Sequence, residues 1–133
     1  MKKRVFWLAL MLVSLLLGVL LYGIYRQDTY IGKLFAGSLP DCDSAENWLS
    51  AFLSWYFPDF LWAFSLSCAL FAIYLPKGKV AVMLSGISCA WGILWECLQR
   101  VHIVSGTADL WDVVLYIMAV ISAFMINILK RGN

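Results

Sequence analysis

Charge is scarce in this chain. Only 14% of its 133 residues are Asp, Glu, Lys or Arg, whereas 63% are hydrophobic and the mean hydropathy is +0.84. An ordinary soluble domain is about 45–50% apolar and about 25% charged. The composition therefore excludes an ordinary soluble domain and predicts an integral membrane protein.

Cysteines and histidines at the spacing of a zinc site are also missing. None of the four cysteines, Cys42, Cys68, Cys89 and Cys97, belongs to a C-x-x-C pair, and the single histidine, His102, is most simply explained as a structural or solvated loop residue. A zinc site or a disulfide framework is therefore not expected. A bridge between Cys42 and Cys97 is a minor alternative, because both could face an oxidising compartment.

Four apolar runs are each long enough to cross a bilayer as a helix, which takes about 20 residues. They cover residues 5–25, 57–75, 80–98 and 110–129. The first run has the basic start of a signal peptide, but it is longer than a signal core and no small-x-small cleavage site follows it. We therefore expect an uncleaved first helix and a single membrane domain over residues 1–133.

The connection from residue 26 to 56 is predicted to contain one more helix. Asp43-Ser44-Ala45-Glu46 matches a capping box, and an apolar stripe rich in Trp and Tyr follows between residues 48 and 56. Such a helix suits the lipid headgroup zone. The alternative is an early start of the second span, but Pro58 favours a new helix there. The predicted fold class is all-α: a polytopic membrane bundle of four transmembrane helices plus one interfacial amphipathic helix.

The basic residues divide between the two sides of this bundle. Arg26, Lys33 and Arg100 share one side with all eight acidic residues. Because cytoplasmic loops are enriched in Lys and Arg, we expect both termini in the cytoplasm. Topology accounts for the basic residues, so no nucleic-acid partner is expected. The residues on the cytoplasmic side are Lys2, Lys3, Arg4, Lys77, Lys79, Lys130 and Arg131.

Glu96 is a carboxylate inside an apolar run. Such a residue is costly in hydrocarbon and is a functional candidate by default. Gln99 and Arg100 follow at three and four residues and lie on the same side of the helix, so Arg100 is the nearest candidate partner in sequence. Glu96 also lies towards the carboxyl end of its helix, where the dipole disfavours an anion. It is therefore predicted to need a partner from elsewhere.

Three more carboxylates are predicted at the same depth. Asp59, Asp109 and Asp112 each lie in or beside the first turn of a predicted helix, where a carboxylate is favourable and needs no function. Tyr116 follows Asp112 by four residues and extends the same face inward. Together with Glu96 these acidic groups cannot all ionise without compensation.

Two short motifs carry a resemblance to a known family. W-E-C-L-Q at 95–99, followed by G-T-A-D-L-W-D at 106–112, resembles the E-x-x-Q and D-x-x-D signature of the VanZ-like family of small bacterial membrane proteins. Asp59, at the start of the preceding span, agrees with the same pattern. The resemblance covers roughly residue 56 to the C terminus.

The chain departs from that pattern at two positions. The family commonly has Arg where this chain has Thr107 and Asn where it has Tyr116, and the Tyr version resembles an uncharacterised branch. The resemblance implies a multi-pass protein of the bacterial plasma membrane and cell envelope. The founding member of the family confers low-level teicoplanin resistance, so the resemblance also implies a role in antibiotic resistance.

Three functions follow as hypotheses. The first is a non-enzymatic membrane protein that needs no cofactor and contacts membrane lipids. Its outward polar pocket would bind a lipid-linked or glycopeptide-like ligand. An alternative is a small ion- or proton-coupled transporter, which would act as a homo-oligomer because four spans are few. Another is an enzyme acting on lipid headgroups with a divalent cation held by carboxylates. The predicted pocket residues are Asp59, Glu96, Gln99, Arg100, Asp109, Asp112 and Tyr116.

Overall fold

The chain folds into a bundle of α-helices. The computed structural model describes residues 2–26, 33–34, 37–38, 47–104 and 109–130, and within them it contains helices and no strand. Four of the helices are long and apolar enough to cross a membrane. The all-α prediction is confirmed, and the protein is a multi-pass membrane protein. The helices are α1 (Lys2–Tyr25), α2 (Trp48–Trp55), α3 (Phe57–Tyr74), α4 (Lys79–Arg100) and α5 (Leu110–Leu129).

The helix ends lie close to the span ends expected from hydropathy. α1 begins at Lys2, three residues before the first apolar run, which begins at residue 5. α4 ends at Arg100, two residues after the third apolar run, which ends at residue 98. The polar ends of the helices therefore extend past the apolar segments. A helix satisfies its own backbone hydrogen bonds, so it can continue from hydrocarbon into the headgroup region without cost to the backbone.

α2 and α3 are separate helices rather than one extended span. α2 begins at Trp48, where the Ser50 hydroxyl accepts a hydrogen bond from the Asn47 N–H at 3.1 Å. The predicted capping box at 43–46 lies outside the described residues, and the N-cap observed for α2 is Asn47. Pro58 occupies the first turn of α3, where its missing N–H has no consequence.

α3 is the central helix. It packs against α1, α2, α4 and α5, and α5 also packs against α4. Trp7 of α1 meets Phe71 of α3 edge to face, with ring centroids 5.2 Å apart. Small buried residues let the other helices approach, among them Cys68 and Ala72 of α3. In lipid such close backbone approach drives helix association.

The outer surface of the bundle is apolar, as expected for helices in contact with acyl chains. The short helix α2 also exposes most of its apolar side chains, which agrees with an interfacial position. Gly86 and Ala90, two small residues one turn apart on α4, are both exposed, and a Cβ placed at Gly86 would meet no atom within 4 Å. The exposed apolar residues include Leu16, Trp48, Leu49, Trp55, Ile87, Trp91 and Ile121.

Candidate functional site

The acidic residues that the structure describes lie at one end of the bundle, opposite a group of lysines. The ends of α1 and α4 and the starts of α3 and α5 form what we call the acidic end, which carries Asp59, Glu96, Asp109 and Asp112. At the other end, the basic end, three lysines line one cavity of about 280 Å³. These lysines are Lys3, Lys77 and Lys130.

Glu96 is buried at the start of α5. Its side chain is only 6% exposed. Its Oε2 accepts a hydrogen bond from the backbone N–H of Asp109 at 3.1 Å, and its Oε1 accepts one from the Tyr116 hydroxyl, also at 3.1 Å. The amino terminus of a helix carries partial positive charge and donors without intrahelical partners. A neighbouring helix therefore stabilises Glu96 at the unfavourable end of its own helix.

Glu96 takes its hydrogen bonds from α5 and not from Arg100, which corrects the expectation that Arg100, the nearest candidate in sequence, would be its partner. Arg100 is exposed in the last turn of α4, and Gln99 beside it is half-buried. An arginine at a membrane boundary extends towards water, because its guanidinium loses less hydration there. His102 is also exposed, with φ at 59° in the turn that follows α4.

The turn after α4 brings the next helix back towards Glu96. The N–H of Val101 bonds to the Cys97 carbonyl at 3.1 Å, and the N–H of Ile103 bonds to the Leu98 carbonyl at 3.0 Å. Cys97 is a free, exposed cysteine, and Cys42, its suggested disulfide partner, lies outside the described residues. Thr107 and the rest of 105–108 lie outside them as well.

Asp109 caps the helix that receives Glu96. Its Oδ1 accepts a hydrogen bond from the Trp111 N–H at 3.1 Å, while its own N–H donates to Glu96. Asp109 thus acts through both its side chain and its backbone. This agrees with the prediction of a carboxylate at a helix start and adds a link to Glu96 that sequence alone did not indicate.

Replacing Asp109 with alanine should lower the free energy of unfolding by about 1 kcal/mol, the usual cost of a lost N-cap side chain. The backbone N–H that donates to Glu96 stays in place, so the loss should be modest. The measurement is SDS-induced unfolding in mixed micelles. Asp109→Ser restores a capping oxygen and should recover most of the loss; a serine variant as unstable as the alanine variant would show that capping is not the cause.

The four carboxylates of the acidic end form one electrostatic cluster. Asp112 is within electrostatic range of Asp59, Glu96 and Asp109, and Asp59 is within range of Glu96. The Oδ1 of Asp112 is buried and has no hydrogen-bond partner within the described part of the chain. The structure thus brings together the four acidic residues predicted to lie at one depth.

Arg26 also belongs to this cluster, although it is not one of the seven residues predicted to form the pocket. Its guanidinium donates to the Tyr22 hydroxyl at 3.3 Å and to the Trp55 carbonyl at 3.5 Å. It is also within electrostatic range of Asp59 and Asp112. The sequence did contain a signal for this placement, because Arg26 directly follows the first span and is therefore expected at the same depth as Asp59.

A cavity of about 520 Å³ opens beside the cluster, and we call it the acidic-end cavity. Of the seven predicted pocket residues, Asp59 and Tyr116 line it. Glu96 bonds to the Tyr116 hydroxyl, and the Asp109 N–H bonds to Glu96. The remaining three, Gln99, Arg100 and Asp112, do not line the cavity either. The cavity is lined by Tyr22, Asp59, Trp62, Ala63, Leu66, Ser88, Trp91, Gly92, Trp95 and Tyr116.

Gly92 permits the contact that positions Tyr116. A Cβ built at Gly92 would lie 2.6 Å from Cδ2 and 2.7 Å from Cγ of the Tyr116 ring, closer than real Cβ atoms approach a neighbour. The ring therefore rests directly on the backbone of α4. This contact holds the hydroxyl of Tyr116 at Glu96 and the ring at the cavity wall.

Among the residues that the structure describes, no three His, Cys, Asp or Glu side chains are placed to share a metal ion. Two carboxylates of the acidic end, Glu96 and Asp109, accept hydrogen bonds around the start of α5.

Comparisons with known proteins do not assign the chain to a family. No family model, curated protein or solved structure matches it. The resemblance of 95–99 and 106–112 to the VanZ-like signature therefore stays a prediction.

Proposed function

We propose that this chain is a VanZ-like protein of the bacterial plasma membrane. Its acidic-end cavity would bind a lipid-linked or glycopeptide-like amphiphile, and this binding would contribute to antibiotic resistance at the cell envelope. The cavity itself is the observation that supports the proposal. Its volume of about 520 Å³ is within the usual range for small-molecule sites, about 300–1,000 Å³.

The composition of the cavity wall suits an amphiphile. Most lining residues are aromatic or aliphatic, and the polar groups are few: a carboxylate at Asp59 and hydroxyls at Ser88, Tyr22 and Tyr116. Ligand sites commonly combine apolar walls with a small number of placed polar groups. The apolar part of a ligand would lie against the tryptophans, and its polar part would meet Asp59.

We further propose that the acidic end faces outward and that both termini are cytoplasmic. The distribution of lysines supports this orientation, because Lys3, Lys77 and Lys130 gather at the basic end and cytoplasmic segments are enriched in basic residues. An outward cavity would be reached by envelope lipids and by drugs that do not enter the cell.

Filling the cavity tests the proposal. Expression of the chain in a teicoplanin-susceptible bacterium should raise the minimal inhibitory concentration of teicoplanin, and Ser88→Leu should abolish the increase because the larger side chain occupies the cavity. Ser122→Leu is the matched control. Ser122 lies on α5 outside the cavity lining, and its hydroxyl bonds only to the Met118 carbonyl in its own helix.

Both variants are compared at equal amounts in the membrane fraction. Ser122→Leu should keep the full increase in resistance. An unchanged resistance in Ser88→Leu, or no increase with the original chain, would contradict the proposed role of the cavity.

A further inference from the structure

We infer that the acidic-end cavity selects amphiphiles with a cationic ammonium head, with the carboxylate of Asp59 as the counter-charge. This inference rests on the proposed function, because it names the chemical class of ligand that the same cavity would take. Four observations support it: the charge around the cavity, its aromatic lining, an unpaired hydroxyl in its wall and the difference in depth between Asp59 and Ser88.

The charge at this end is predominantly negative. Asp59, Glu96, Asp109 and Asp112 interact electrostatically, and Arg26 is the cation placed among them in the described residues. Glu96 is compensated by the start of α5 and by the Tyr116 hydroxyl. Asp59 is the carboxylate of this group that lines the cavity, so a cation in the cavity would meet it first.

The aromatic residues of the wall also favour a cation. Five aromatic side chains line the cavity, and the faces of such rings attract ammonium groups, most strongly for tryptophan. Trp91 and Trp95 are one turn apart on α4 and remain 58% and 41% exposed. The lining aromatic residues are Tyr22, Trp62, Trp91, Trp95 and Tyr116.

Ser88 provides an independent sign that this wall accommodates a polar group of a ligand. Ser88 is 1% exposed, yet its Oγ has no hydrogen-bond partner in the described chain, and the residue lines the cavity. By contrast, the buried serines of α3, Ser65 and Ser67, bond to the carbonyls of Met11 and Ala63 at 3.1 and 2.9 Å. A buried hydroxyl without a partner is costly, and a polar group of a ligand would satisfy it.

The two polar positions lie at different depths. The lining of α4 runs from Trp95 to Ser88, and that of α3 runs in the opposite direction from Asp59 to Leu66. Seven residues of helix span about 10 Å. Asp59 therefore lies at the outer end and Ser88 about 10 Å deeper. This spacing fits an amphiphile with an ammonium head at Asp59 and a carbonyl or hydroxyl further along, next to Ser88.

The test compares probes that differ only in the head group. The purified protein in neutral maltoside micelles is titrated with brominated dodecyl chains carrying an ammonium, a maltoside or a sulfate head, and quenching of tryptophan fluorescence reports binding. The ammonium probe should quench half-maximally at a mole fraction about tenfold lower than the maltoside probe, and the sulfate probe should bind most weakly.

Asp59→Asn should remove this preference while the three probes still bind, because asparagine keeps the shape without the charge. Asp59→Glu should restore it. Asp112→Asn is the matched control, since it removes a carboxylate of the same cluster that does not line the cavity, and it should keep the preference. Size-exclusion elution identical to that of the original protein confirms that each variant is folded.

The outcomes separate this inference from the proposed function. Equal binding of the ammonium and maltoside probes, abolished for both by Ser88→Leu, would overturn cation selectivity and leave the amphiphile cavity intact. Quenching that Ser88→Leu does not change would overturn both. A preference lost equally in Asp59→Asn and Asp112→Asn would overturn the assignment of Asp59 as the counter-charge.

Discussion

Replacing Glu96 with alanine should lower the free energy of unfolding by about 2–5 kcal/mol, because it leaves two buried donors, the Asp109 N–H and the Tyr116 hydroxyl, without an acceptor. The effect should exceed that of Asp109→Ala, which removes only a cap. SDS-induced unfolding in mixed micelles measures the difference.

Two variants give the matched controls. Glu96→Gln keeps one oxygen for the Asp109 N–H and offers an amide that can donate to the Tyr116 oxygen, so it should lose less stability than Glu96→Ala. Tyr116→Phe removes one of the two bonds and should fall between them. If Glu96→Ala were no less stable than Glu96→Gln, the hydrogen bonds around the start of α5 would not explain the burial of this carboxylate.

Gly92→Ala should also destabilise the protein, by about 1–3 kcal/mol, the usual range for overpacking. The added methyl group would meet the Tyr116 ring at 2.6 Å, and the hydroxyl of this ring bonds to Glu96, one turn further along α4. Displacing the ring weakens its bond to Glu96, so the loss comes from crowding and from the disrupted hydrogen bond together. The thermal unfolding midpoint by circular dichroism reports it.

Gly86→Ala is the control on the same helix. A Cβ at Gly86 meets nothing within 4 Å, so this change should be neutral, or should stabilise the helix by up to about 1 kcal/mol through the better helix propensity of alanine. Adding Tyr116→Ala to Gly92→Ala should relieve the crowding, giving a double-mutant loss smaller than the sum. Equal effects of the alanine changes at Gly86 and Gly92 would contradict the close contact.

The carboxylates show how far sequence reasoning reached at the acidic end. Asp59, Asp109 and Asp112 were recognisable as helix-start residues, because a capping position is a local property of the chain. One of the two partners of Glu96 was not recognisable. It is a backbone N–H thirteen residues away, and every residue offers the same N–H, so no side-chain pattern indicates which one a folded chain will present.

The cavity shows a second limit. In the sequence, Ser88 and Gly92 are two small residues four positions apart, a spacing that favours close helix packing in lipid. Gly92 does serve that purpose, beneath Tyr116, whereas Ser88 lines an open space. Whether a small residue is covered or left open depends on the rotation of each helix about its axis, which a hydropathy pattern indicates only roughly.

The number of membrane helices, their approximate ends and the separation of acidic from basic residues followed from the sequence alone. Each is a local property: a run of apolar residues must satisfy its backbone as a helix in lipid, and charges collect where the runs end. The tertiary structure alone decided that Glu96 is held by the start of α5, that Arg26 joins the cluster, and that Asp59 and Tyr116 line the cavity. These pairings depend on the register and rotation of helices that are distant in sequence, and packing between them sets both.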